Sequence, residues 1–442
     1  MSEVVIIGGG LAGTEAAYKI ANAGFKVKLY EMRPKRSTPA HRTPYLAEIV
    51  CSNSFGSESP TSASGLLKQE MDVLDSIILK VAKEFKVPAG QAFAVDREKF
   101  SKKITEIIEN HPNIEVVREE ISEIPRDSLV VIASGPLTSE KLSLEIQKLT
   151  GSEYLYFYDA ISPVVDASTV DYSKGFWADR YGKGSADYFN CVLTQEEYEI
   201  FYEELLKGEQ VPLKDFERAV YFEGCLPIEE IARRGKQTLL FGPMKPVGLI
   251  DPKTGKQPFA VVQLRKENIE GTLLSLVGFQ TKLKYPDQKK VFRLIPALKD
   301  AEFVKLGSIH RNTFIQSQKL LYPTLQLKSK PNILFAGQIT GVEGYMASAS
   351  TGIIAGINVV RILRGEEPLA PPRESIIGSL INYITTAKNE LQPMGPNFAI
   401  LPDTENRIKD KEKRKAVKVD IALESIKAFK EKINLHPQNF SV

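Results

Sequence analysis

Val4-Val5-Ile6-Ile7-Gly8-Gly9-Gly10-Leu11-Ala12-Gly13-Thr14-Glu15-Ala16-Ala17 is the stretch that decides the fold. Four β-branched residues run into three glycines, and a helix-forming stretch with apolar Ala16, Ala17 and Ile20 follows. Gly8, Gly10 and Gly13 have the spacing G-x-G-x-x-G, which by itself also fits an ordinary strand-turn-helix. The surroundings carry the argument. A second β-like run, Lys26-Val27-Lys28-Leu29-Tyr30, ends in the acid Glu31, about 20 residues past the glycines, as a dinucleotide fingerprint requires. Gly8 then makes the tight turn, Gly10 lets backbone approach a pyrophosphate, and Gly13 lets the helix close on the strand. Gly9, Leu11 and Ala12 belong to the same turn, where the helix N-terminus offers partial positive charge to phosphates. Glu31 suits both hydroxyls of an adenosine ribose and argues against a 2′-phosphate.

At 442 residues the chain has room for two or three domains with their own cores. Its 43% apolar and 26% charged residues are those of a soluble globular protein. No apolar run reaches the roughly 20 residues of a membrane span, and no basic region with a cleavage site opens the chain. The three cysteines, Cys51, Cys191 and Cys225, form neither a disulfide framework nor a C-x-x-C pair. Four histidines lack H-x-x-x-H spacing, so no metal is expected, and a reducing cytoplasm is the expected compartment. A net charge of +3 requires any polyanion site to be a local patch.

The first unit continues with helical spacing from Leu66 to Val81 and a helix started by Asp96. Ile114–Val117 and Leu129–Ile132 read as strands, the second closing on Gly135. Between Pro136 and Leu325 the texture changes to crowded aromatics and short β-like runs, such as 219–222, 239–241 and 260–264, broken by Gly and Pro. Asn332-Ile333-Leu334-Phe335-Ala336-Gly337-Gln338 then restores a strand closing on glycine, followed by Gly341-Val342-Glu343-Gly344-Tyr345 and a small-residue helix from Ala347 to Leu363. This is a second flavin fingerprint, suited to close packing on a sheet or cofactor. Helices from Ile376 to Thr386 and Val419 to Lys432 finish the chain. The expected class is α/β: a discontinuous Rossmann-like FAD-binding domain of the glutathione-reductase type (1–135 and 326–442) with an inserted α+β domain (136–325). No second G-x-G-x-x-G marks a nicotinamide domain, so NAD(P)H is expected to visit only briefly.

Cys51 sits in Glu48-Ile49-Val50-Cys51-Ser52-Asn53-Ser54-Phe55, among small polar residues that are poor core material. One cysteine where disulfide reductases carry two disfavours disulfide reduction. Cys225 precedes Pro227, a favoured first helical position, and a helix N-terminus stabilises a thiolate, although Glu223, Glu229 and Glu230 oppose this. Either cysteine can equally be structural. Gly307-Ser308-Ile309-His310-Arg311-Asn312 gathers planar polar groups: His310 can stack on a ring and Arg311 can meet a carboxylate or phosphate. The charge run from Arg407 to Lys418 reads as a solvated helix face.

Together these residues closely resemble the folate-dependent tRNA uracil-5-methyltransferases of bacteria, flavoproteins related to the GidA-type wobble-uridine enzymes. The resemblance spans essentially the whole chain. It is carried by the glycine motif, Tyr30-Glu31-Met32-Arg33-Pro34, the Cys51 motif, Glu223-Gly224-Cys225-Leu226-Pro227, Phe241-Gly242-Pro243-Met244-Lys245-Pro246-Val247-Gly248 and 337–345. Asn190-Cys191 departs from the pattern, with Val192 in place of proline, and Cys191 is given no role. The resemblance implies FAD held by 8–13, Glu31, Arg33, Gly337, Gln338, Glu343, Gly344 and Tyr345, and reduction by NAD(P)H. It implies 5,10-methylenetetrahydrofolate as one-carbon donor to C5 of a uridine in the tRNA T-arm, with no membrane and no obligate protein partner. Cys51 and Cys225 are the catalytic pair; Cys225 is placed first as nucleophile, with the reverse open. His310 is assigned to the pterin, and Arg311, Lys245, Arg265 and Lys282 to phosphate or the folate glutamate. The alternatives are a GidA-type wobble-uridine enzyme, which is a longer chain, and an NADH-dependent small-molecule flavin oxidoreductase.

Overall fold

The computed structural model describes residues 3–433 apart from 153, 183, 213–225 and 405–407. Its first sheet has six strands in the order Gln326–Leu327, Lys330–Phe335, Leu129–Ile132, Val4–Ile7, Val27–Tyr30, Ile114–Val117. All pair in parallel except the short first edge strand. Val4 and Ile6 pack into one apolar layer and Val5 and Ile7 into another, because successive side chains of a strand point to opposite faces. Both faces are covered, hence the continuous apolar run in the sequence.

One face carries the helices Leu11–Asn22, Arg97–Glu109 and Tyr345–Leu363. The other carries Glu140–Thr150, whose Leu142 and Ile146 pack with Val5, Ile7, Val130 and Ile132. That helix lies past residue 135, so the dinucleotide layer extends into the segment expected to start the insertion. The small residues of Tyr345–Leu363 close on the first helix rather than on a sheet: a side chain on Gly352 would overlap the Ala12 backbone. This helix has the length and composition to cross a membrane, but 83% of its most apolar window is buried inside the protein. C-terminal Ala422, Ile426 and Phe429, on the helix Lys411–Ile433, join the same layer.

The single helical run expected from Leu66 to Val81 is two helices, Ala63–Val73 and Ile77–Glu84. Asp75 takes φ +56 between them, and Ser76 caps the second by accepting from the Leu79 N–H. Buried Lys19 donates to the Leu74 and Asp75 carbonyls, while buried Glu15 accepts from the N–H groups of Ile77 (3.3 Å) and Ile78 (3.0 Å). Both helix ends at the break are thus satisfied from the first helix, which local periodicity does not reveal.

The insertion is built on a six-stranded antiparallel sheet, ordered Gly175–Trp177, Tyr188–Leu193, Ala260–Lys266, Leu273–Leu276, Val164–Asp166, Phe303–Lys305. It has its own core, in which Cys191 is fully buried with its thiol pushed up by desolvation. Residues 239–241 form part of a one-turn helix, Thr238–Phe241, rather than a strand: Leu239 is buried in the core, Leu240 packs partly against it, and Phe241 is 80% exposed. The β-like run at 219–222 lies outside the described residues. The chain enters and leaves the insertion through an antiparallel pair, Leu155–Ala160 with Ile309–Phe314.

Candidate active site

Gly8 takes φ +107, where a side chain would be strained and would meet the Ala133 carbonyl. A Cβ on Gly13 would overlap the Gly8 carbonyl oxygen, so this glycine sets the helix-to-strand distance. One on Gly10 would meet nothing within 4 Å, because Gly10 faces an open cleft. The cleft is lined by 8–12, Glu31, Arg33, Gly337, Gln338 and Tyr345. Glu31 is buried at its wall: Oε2 accepts from the Gly9 N–H (3.1 Å), and Oε1 from the Arg33 N–H (3.0 Å) and Nε (2.9 Å). Burial alone would raise this carboxyl, but the hydrogen bonds and charge of Arg33 outweigh it and hold it below the ordinary value. Both oxygens therefore already take protein donors. A carboxylate has about four acceptor sites, so capacity remains. Arg33 in turn is anchored by Glu48 at 2.8 Å, a partner the sequence reading missed.

The second fingerprint closes the cleft from the other end. Gln338 Nε2 donates to Glu343 Oε2 at 2.6 Å, and Gly344 caps the helix Tyr345–Leu363 with open space around it. The Tyr345 hydroxyl accepts from the Cys51 N–H at 2.7 Å, joining residues 294 positions apart. Val50, Gln338 and Tyr345 also line a second cavity of about 500 Å³, together with Cys51, Glu343, Gly344, Gln280 and Asn312. Asn312 is 2% exposed and its Nδ2 has no partner among the described residues. Open space at Gly10 and Gly344, two helix N-termini and an unpaired donor suit a bound dinucleotide whose ring reaches the thiol.

The description GIDA, glucose inhibited division protein A, matches residues 3–367. Methylenetetrahydrofolate--tRNA-(uracil-5-)-methyltransferase TrmFO of Sulfurihydrogenibium sp. (strain YO3AOP1) is 79% identical over 431 residues, 98% of each chain. The proteins of the same name from Persephonella marina and Aquifex aeolicus are 70% and 63% identical, over 97% and 99% of this chain and 99% and 98% of theirs. This chain belongs to the TrmFO family. Among solved structures, Aquifex aeolicus GidA in two crystal forms shares the fold, with TM-scores of 0.71 and 0.72. Those matches are 20% and 19% identical and cover 98% of this chain and 74% and 76% of theirs. The GidA-type alternative gives way to TrmFO on identity.

Within the TrmFO site, the loop after Glu48 is clamped by the inserted domain. Lys305 Nζ donates to the Val50 carbonyl at 2.9 Å, and Asn53 Nδ2 donates to the Lys266 carbonyl at 3.1 Å. Arg97, behind the same loop, pairs with Glu267. Desolvation and the Arg97 charge push Lys305 down to about 8, and a charge on Cys51 is felt by both cations. Lys305 is therefore cationic at pH 7 and loses its charge as pH rises through 8. Iodoacetamide alkylation of Cys51, located by mass spectrometry, is expected to slow about three- to tenfold at pH 7 in Lys305→Met, with the difference vanishing above pH 9.

Arg265 reaches the cysteine loop, donating to Ser52 Oγ (2.9 Å) and Asn53 Oδ1 (2.8 Å). Lys282 does not: it is buried against Glu230 at 2.6 Å and lines none of the described cavities. Lys245 lies against Tyr181, 5.9 Å from the ring centroid, also away from the cavities. Cys225 and the side chains of His310 and Arg311 lie outside the described residues. The helix after Cys225 is Ile228–Arg233, with Pro227 at its cap rather than inside it. Its Ile228 N–H donates to the carbonyl of Gln280, a wall residue of the second cavity.

Proposed function

We propose that this chain methylates C5 of a uridine in the tRNA T-arm, using 5,10-methylenetetrahydrofolate as carbon donor and NAD(P)H as reductant, in the cytoplasm. The observation that carries the reading is Cys51 in the wall of a 500 Å³ cavity that shares Val50, Gln338 and Tyr345 with the dinucleotide cleft, its own N–H tied to Tyr345. FAD, held by the Gly8–Ala12 turn, Glu31, Gln338, Glu343 and Tyr345, supplies hydride when reduced.

Uracil C5 is a weak nucleophile. A thiolate adding at C6 pushes the ring electrons onto the C4 oxygen, and C5 then attacks the electrophilic methylene of the folate. Loss of the C5 proton expels tetrahydrofolate from the methylene carbon, and hydride added to the resulting exocyclic methylene drives the thiolate off C6, which restores the ring and leaves a methyl group. We assign the attack to Cys225, which lies just ahead of a helix start. Cys51, held beside Lys305 and Arg97, serves the one-carbon unit. His310 and Arg311 are assigned to the folate. The target base lies in a folded loop and is extruded into the cavity.

Incubation with tRNA, NADH and methylene-labelled folate is expected to place label in 5-methyluridine at a T-arm position, read by nuclease mapping and mass spectrometry. Label arriving only from S-adenosylmethionine would sink the proposal, and label at the anticodon would move it to the wobble class.

A further inference from the structure

A smaller chamber of about 100 Å³ opens on the far side of the cysteine loop. Cys51, Ser52 and Gln280 line it and also line the 500 Å³ cavity, so the two spaces adjoin at the thiol. Its remaining wall mixes apolar Val164, Leu276 and Val277 with polar groups that include Arg265 and Glu267, which are 7% and 3% exposed. Each is held by part of its hydrogen-bonding capacity only. Arg265 Nη2 is anchored on Ser52 and Asn53, and Glu267 Oε2 on Arg97. Arg265 Nε and Glu267 Oε1 are buried with no protein partner.

A charged donor and a charged acceptor left unpaired in a buried chamber are costly, and native proteins rarely tolerate them without a ligand or water. Arg265 lies on the strand Ala260–Lys266 and Glu267 follows it directly, so at i and i+2 both leave the same face. The two residues thus line the chamber from one face, one with an unpaired donor and the other with an unpaired acceptor. The complement of that pair is a ring carbonyl next to a ring N–H.

We propose that Arg265 and Glu267 read the lactam edge of a pyrimidinone ring, with Arg265 Nε donating to the carbonyl and Glu267 Oε1 accepting from the adjacent ring N–H. This deepens the function proposed above and rests on it. Two participants carry such an edge, the target uracil and the pterin of the folate. Cytosine carries the inverse: a lone pair at N3 would face Glu267 and an amino group would face Arg265, which makes the pair a device for rejecting cytidine if uracil is the occupant.

Two arms use the wild-type holoenzyme and distinguish the sources. In one, tRNA with uridine at the target position is compared with tRNA carrying N3-methyluridine there. In the other, inhibition by a tetrahydropterin is compared with inhibition by its N3-methyl analogue. The occupant's methylated form is expected to lose at least about 100-fold in kcat/KM or inhibition constant, because the methyl group leaves the carboxylate unpaired. In the RNA arm, tRNA affinity should stay within about threefold, since phosphate contacts dominate it. Discrimination in either arm supports the proposal and names the occupant; none in both overturns it. Discrimination that persists undiminished in a folded Glu267→Gln variant overturns the assignment to Glu267. Wild-type enzyme that transfers no label to unmodified tRNA fails differently, by removing the functional reading itself.

Discussion

Gly10→Val is expected to yield folded protein without flavin colour. Gly10 has φ −77 and ψ −170, a backbone conformation that valine adopts without strain. A Cβ there meets nothing within 4 Å of protein, so the fold has no objection to it. The added methyl groups instead project into the cleft at the N-terminus of the first helix, where a pyrophosphate must approach backbone N–H groups. Overpacking by two methyl groups costs about 3 kcal/mol or more, roughly a hundredfold or greater loss of FAD affinity. Visible absorbance and circular dichroism measure the two halves of the prediction. Gly13→Val should behave oppositely and fail to fold, since its side chain would overlap the Gly8 carbonyl. A fully flavin-loaded Gly10→Val protein would contradict the cofactor placement.

Cys225→Ala is expected to keep its flavin and lose methyl transfer by at least about 1,000-fold, the scale seen when a covalent nucleophile is removed. The reason is chemical: without sulfur at C6 no electron pair reaches C5, and positioning cannot replace that bond. Flavin content should be unaffected because the described walls of the dinucleotide cleft already include both glycine-rich turns, Glu31 and Arg33. Labelled-folate transfer together with flavin absorbance tests this. Surviving transfer would move the nucleophile to Cys51, which the fold holds at the junction of both cavities.

The legible parts of this protein are those whose causes are local. The Val4–Gly13 turn, the alternation of Val4 and Ile6 against Val5 and Ile7, and the strand closing on Gly337 all follow from neighbours in sequence. Their roles in the cleft were readable for the same reason. Leu66–Val81 was misjudged because its break is stabilised by Lys19 and Glu15 from another helix. Residues 239–241 were misjudged because three apolar residues carry no period that separates a turn of helix from a strand. Nothing near Lys282 in sequence announces its partner Glu230, which is some 50 residues away.

Sequence by itself determined the two glycine-rich turns that face one cleft and the two cysteine motifs that accompany them. Backbone sterics at glycine and the direction of a helix dipole act over a few residues, so they are written in the local order of the chain. Only the tertiary structure decided what surrounds Cys51. Tyr345 arrives on its N–H across 294 positions, and Lys305 reaches the preceding carbonyl across 255. Arg265 and Glu267 supply two unpaired atoms from the inserted sheet. Electrostatics and hydrogen bonding depend on distance in space, and chain order does not encode which domain folds back against the cysteine loop.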